Sequence, residues 1–150
     1  MQELKPPTRI IYSHGENSSL FLAGSIEMGT AEKWQEKVVK ALSDKNIVIF
    51  NPRRENWDNS WDKSIDNPKF KEQVDWELDF LEKASIVLFY FDPNTKSPIS
   101  MMELGLVDKD KPVIVCCPKG FWKRGNIEIV CKRHDLIFCE TLDEAIKHLL

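Results

Sequence analysis

The chain has 150 residues, of which 42% are hydrophobic and 30% charged, and it carries a formal net charge of −3. That length fits one globular domain, which can bury roughly 70% of its unfolded surface without help from a disulfide or a metal. The balance excludes a disordered chain and offers no basic footprint for a nucleic-acid polymer, and no apolar run nears the roughly 20 residues that span a bilayer.

Met1 to Arg9 is polar, contains Pro6 and Pro7, and lacks the apolar core of a signal peptide. The reading is a single domain over residues 1–150, with 1–18 set apart as a peripheral N-terminal extension. Thr8 to Ser13 can pair beside the first core strand through the turn His14-Gly15-Glu16-Asn17. That strand is Ser19 to Ala23, ending at Gly24-Ser25. Thr30 can cap the next helix, in which Trp34, Val38, Ala41 and Leu42 repeat at helical spacing. Ile47 to Phe50 is a short buried strand closed by Asn51-Pro52, because proline donates nothing to a ladder. Arg53 to Pro68 is a long polar loop with Trp57 and Trp61 embedded in it.

A second helix runs from Pro68 to about Ala84, with Phe70, Val74, Leu78 and Leu81 as its apolar face. Ser85 to Phe91 is apolar without alternation, as a central parallel strand buried on both faces should be. Asp92-Pro93-Asn94 is a turn, and a short helix begins near Ser100. Pro112 to Cys117 is another strand, and Lys123 to Glu128 a loop leading into a helix. Leu136 to Cys139 is the last strand and Thr141 to Leu150 the last helix, with Thr141 and Glu144 in capping-box spacing. The alternation predicts an α/β domain with a five-stranded parallel sheet in flavodoxin-like or Rossmann-like order. Ligands of such sheets bind beyond the carboxyl ends of the strands, near the switch point. Residues 24–29, 51–61 and 92–103 meet that description.

Four residue groups carry the candidate chemistry. Gly24 and Gly29 let backbone approach a ligand, or they simply make a tight strand-to-helix turn. Glu103 stands among Met101, Met102, Leu104 and Leu106 near the expected start of a helix, where the terminus would favour its ionised form. An ionised, partly desolvated glutamate is a fit nucleophile for an anomeric carbon; the plainer alternative is a solvent-facing helix residue. On the second helix Asp75 and Asp79 share one face and Glu77 lies about 200° round the axis from Asp75, so one acid at most serves a site. Glu77, between Trp76 and Leu78, is the candidate proton donor. Asn51, Arg53 and Arg54 with Trp57 and Trp61 fit a stacked nucleobase or a neighbouring subunit equally well. Cys116, Cys117, Cys131 and Cys139 match no zinc spacing and read as structural thiols in a reducing, cytoplasmic setting. No metal or other cofactor is implied.

Taken in order, F-L-A-G-S-I at Phe21 to Ile26, Trp34, F-N-P-R-R with Trp57, E-Q-V-D-W-E at Glu72 to Glu77, S-I-V-L-F-Y-F, S-M-M-E-L-G at Ser100 to Gly105 and R-G-N at Arg124 to Asn126 resemble the nucleoside 2-deoxyribosyltransferase-like family. The resemblance covers about residues 20–130. It implies a flavodoxin-like fold, a homodimer or higher homo-oligomer, and a glutamate that attacks C1′ of deoxyribose so that one base leaves and another, or water, takes the sugar. Carried over, that nucleophile is Glu103, Glu77 assists the base, Gly24 and Ser25 line the sugar site, and Asn126 faces a neighbouring subunit. Related nucleotide hydrolases have an arginine where this chain has Glu27, a carboxylate that repels a 5′-phosphate, so a nucleoside is favoured. Where several transferases hold a sugar hydroxyl with an aspartate, this chain has Ser97, with Asp92 and Asn94 nearby. The partners expected are a nucleoside and a free nucleobase. The alternatives are an N-glycosidase acting on a nucleoside or its 5′-monophosphate, a non-catalytic nucleotide sensor, and an oligomeric scaffold.

Overall fold

The computed structural model describes residues 1–9, 18–26, 31–54 and 57–150. The expected pairing through residues 10–17, the Thr30 cap and Glu27, Met28 and Gly29 lie outside them. Six strands form one parallel sheet: β1 (Gln2–Leu4), β2 (Ser18–Gly24), β3 (Ile47–Phe50), β4 (Ile86–Tyr90), β5 (Val113–Cys116) and β6 (Ile137–Cys139). The helices between and after them are α1 (Trp34–Ala41), α2 (Pro68–Lys83), α3 (Pro98–Leu106), α4 (Arg124–Arg133) and α5 (Leu142–Lys147). The spatial order is β1-β3-β2-β4-β5-β6. Leaving aside the edge strand β1, this is the flavodoxin-like order expected, with its switch point between β2 and β4, where Gly24 pairs with Tyr90.

The sheet has one strand more than the sequence suggested. Gln2 to Leu4 pairs in parallel with Val48 to Phe50, and Leu4 is buried, so this stretch is part of the sheet and not a peripheral extension. Alternate residues along the strands supply two cores. On one side Phe21, Ala23, Val87, Phe89 and Val115 meet Trp76, Phe80 and Leu81 of α2, Leu104 of α3 and Ile127 of α4. On the other, Leu20, Leu22, Leu88, Tyr90 and Ile114 meet Trp34 and Val38 of α1 and Ala145 and Ile146 of α5. Trp34 and Trp76 are fully buried, one in each core, and large side chains of this kind stabilise by roughly 1.5–3 kcal/mol apiece.

Helix ends follow from local chemistry. Asn67 accepts from the amides of Lys69 and Phe70, and Pro68 occupies the first turn of α2, where no N–H is needed. Thr141 and Glu144 form the expected capping box on α5. Two expectations change. The buried stripe of α2 is Gln73, Trp76, Phe80 and Leu81, while Leu78 is 39% exposed. The residues 123–128 are not a loop leading into a helix, because α4 already begins at Arg124. All four cysteines are free and buried. Among the described residues no helix is long and apolar enough to cross a membrane.

Candidate active site

Glu103 projects from the second turn of α3 and is only 6% exposed. The helix starts at Pro98, two residues before the expected Ser100, which places Glu103 sixth in it. It is therefore beyond the first-turn amides, and the helix terminus does not hold it ionised. Burial dominates instead, and with the negative charge of Glu77 it pushes the Glu103 carboxyl up to about 8. Glu77, on the inner side of α2, is pushed up to about 7 by burial, against a lowering contribution from the Gln73 amide. The charge of Glu77 on α2 thus reaches Glu103 on α3, and both carboxyls are raised toward neutrality.

A knot of hydroxyls lies beyond the ends of β2 and β4. Gly24 has φ +146°, and a Cβ there would sit 2.3 Å from the Tyr90 carbonyl oxygen, so only glycine lets the two strands close at this point. The Ser25 amide donates to that carbonyl at 2.9 Å. The Ser25 hydroxyl oxygen lies 2.9 Å from the Thr95 hydroxyl and 2.5 Å from that of Ser97, and accepts from the Asp92 amide at 2.9 Å. Ser97 has left-handed backbone (φ 47°, ψ 50°) immediately before α3. The chain between β4 and α3 is tied to β2 through these contacts, and the tie sets where α3 and Glu103 stand. Ser25 and Ser97, read from sequence as ligand groups, are buried and bonded within this knot.

Asp92 is buried too, accepting from the Glu32 amide through Oδ2 and from the Asn94 amide through Oδ1, each at 2.8 Å. It borders an open cleft of about 550 Å³ walled by Ala31, Glu32, Tyr90, Pro93, Asn94 and Pro118. Neither Glu77 nor Glu103 is in that wall. The cleft follows the α1 side of the sheet's carboxyl edge, and the glutamates belong to helices on the other side. The pair is the stronger candidate for chemistry: Glu32 already accepts from the Tyr90 hydroxyl at 3.4 Å, and both Asp92 oxygens are taken by amides.

The remaining sequence candidates fall further out. Asn51 donates to Glu3 at 2.7 Å and accepts from the Arg53 amide at 3.0 Å, which ties β1 to the end of β3. Arg53 reaches the buried Gln35 oxygen at 3.2 Å. Trp57 packs edge-on against Trp61 with ring centres 5.0 Å apart and lies 6.3 Å from Phe70. Arg54 and Lys69 stand over the Trp61 ring. These rings cover part of each other, a packing that the base and subunit readings had both left out. Asn126 is exposed in the first turn of α4. Sequence reasoning missed Gln73 and Thr95. Gln73 stands one helical turn before Glu77, and that i, i+4 spacing was the available signal. Among the described residues no three metal-binding side chains converge.

A family model described as nucleoside 2-deoxyribosyltransferase like matches residues 17–121, well over half of the chain. The chain belongs to the nucleoside 2-deoxyribosyltransferase-like family. The matched span holds Gly24, Ser25, Asn51, Arg53, Trp57, Glu77, Asp92, Ser97 and Glu103 and leaves out Asn126. In this family member β1, α4, β6 and α5 lie outside the matched span. A solved structure, a conserved protein from Enterococcus faecalis V583, superposes with a TM-score of 0.60 at 14% identity, covering 90% of this chain and 100% of that one. It shares the fold. No curated protein matches the chain.

Proposed function

We propose that this protein exchanges the nucleobase of a 2′-deoxynucleoside through a glycosyl ester on Glu103. The observation that carries the reading is a buried carboxyl, Glu103, with the half-buried Glu77 near enough for its charge to be felt, both pushed up toward neutrality by burial. Base exchange needs one carboxylate to attack and one carboxylic acid to protonate the departing base. In the first step the C1′–N bond breaks, C1′ bonds to a Glu103 oxygen, and the Glu77 proton passes to the base. In the second the acceptor base gives a proton to Glu77 and attacks C1′, the ester bond breaks, and configuration is retained. Positive charge developing at the anomeric carbon favours an ionised carboxylate at Glu103. Burial keeps water from the ester, which favours transfer over hydrolysis.

The same reading makes the protein a homodimer. Ile99, Met102 and Leu106 form an exposed apolar stripe on α3 beside Glu103. Leu78 of α2 and Ile129 of α4 are exposed in the same helical layer, whereas α1 and α5 expose no large apolar side chain among the described residues. The buried free cysteines favour a reducing compartment such as the cytoplasm.

The test is incubation with a 2′-deoxynucleoside, with and without a second free base, followed by chromatography of the products. A new nucleoside formed only with the acceptor supports transfer. Free base released without acceptor replaces transfer by hydrolysis, and binding without turnover replaces both by a sensor.

A further inference from the structure

Gln73 is 5% exposed and lies one turn before Glu77 on the inner side of α2. Its side-chain nitrogen donates to the Pro52 carbonyl at 3.0 Å and to Glu77 Oε1 at 2.7 Å. Both amide hydrogens are thereby used. The amide oxygen is buried and has no partner among the described residues. Turning the amide over would not repair this, because the Pro52 carbonyl accepts only and would then face an oxygen. A buried acceptor left open is destabilising, so the orientation is imposed by its neighbours.

We propose that Gln73 is a positioning residue: pinned by the Pro52 carbonyl, it holds Glu77 and decides which carboxyl oxygen carries the acid proton. Glu77 Oε1 faces a fixed N–H donor and must accept. A proton on Glu77 therefore sits on Oε2. Among the described residues the charged group that faces Glu77 from a packed element is Glu103 of α3. Asp75 and Asp79 on α2 are instead engaged by Lys71 and Arg9. Arg54, from the loop after β3, reaches Glu72, 3.5 Å away. The arrangement also links the 51–54 loop to the acid, so a ligand that shifts that loop alters proton placement. The catalytic meaning rests on the function proposed above; the hydrogen-bond claim does not.

The experiment is an NMR titration of the resting protein through neutrality, following the Gln73 side-chain amide and the Glu77 carboxyl carbon. The amide should shift with the same midpoint as Glu77. In Gln73→Met, which keeps length and loses the donor, the proton affinity of Glu77 should rise about tenfold, the effect of one charge-assisted hydrogen bond. A Gln73 amide that ignores Glu77 overturns the proposal, in the wild type and without need of any variant. So does an unchanged Glu77 midpoint in folded Gln73→Met. If base exchange occurs, Gln73→Met should lower kcat about tenfold, with KM changed less and the alkaline limb moved upward. If no exchange is seen yet the titrations couple, the functional reading fails and the positioning of Glu77 stands.

Discussion

Glu103→Gln should make this protein more stable in mild alkali and inactive. The buried carboxyl rises from 4.5 to about 8 on folding. A raised folded value means that the fold favours the protonated form. That stability is fully present below about 4.5 and is lost progressively as pH climbs to about 8. At about 1.4 kcal/mol per pH step the loss amounts to about 5 kcal/mol at most. Glutamine keeps the shape without the charge, but burying its extra amide hydrogens costs about 1–3 kcal/mol. The net gain at pH 8.5 is then about 2–4 kcal/mol. In acid, where Glu103 is already neutral, the variant should be equal to the parent or weaker. With a urea slope of about 2 kcal/mol per molar, the unfolding midpoint in alkali should move up by about 1–2 M. Urea unfolding at pH 5 and pH 8.5, fitted as two-state, reads the difference directly. Parallel pH profiles for the two proteins would refute the placement of Glu103 as a buried, proton-binding group.

Gly24→Ala should destabilise by roughly 2 kcal/mol or more, since a Cβ would meet the Tyr90 oxygen at 2.3 Å. Gly105→Ala, with nothing within 4 Å, should gain about 0.5–1 kcal/mol as an ordinary helix position; thermal melts separate the two. Met102→Glu should convert a dimer to a folded monomer by light scattering, and a parent already monomeric at micromolar concentration would remove the α3 interface.

The sequence was most readable where chemistry is local. The apolar runs of β2 to β5 and the Thr141–Glu144 box announced themselves, because a buried parallel strand needs a continuous apolar run and a capping box has fixed spacing. β1 was missed because its signal is not its own: three residues with one buried leucine become a strand only beside β3. α2 was found but turned the wrong way. It carries apolar residues on two faces, and the choice between them is made by Phe21 and Phe50, against which Trp76 and Phe80 pack. Glu103 was recognisable in its apolar company, but its charge state was not. That depends on where α3 begins and on the charge of Glu77 from α2. Ser25 and Ser97 were singled out separately, and only the fold showed that they bond to each other. Gln73 stayed hidden because its partner Pro52 is 21 residues away.

The proposed exchange turns on the ester at Glu103. The most direct measurement is rapid acid quenching of the protein with a 2′-deoxynucleoside and no acceptor base, followed by peptide mapping with mass spectrometry. A deoxyribosyl adduct is expected on the peptide that contains Glu103 and is absent from Glu103→Gln. Turnover with no adduct, or an adduct on another residue, would contradict it.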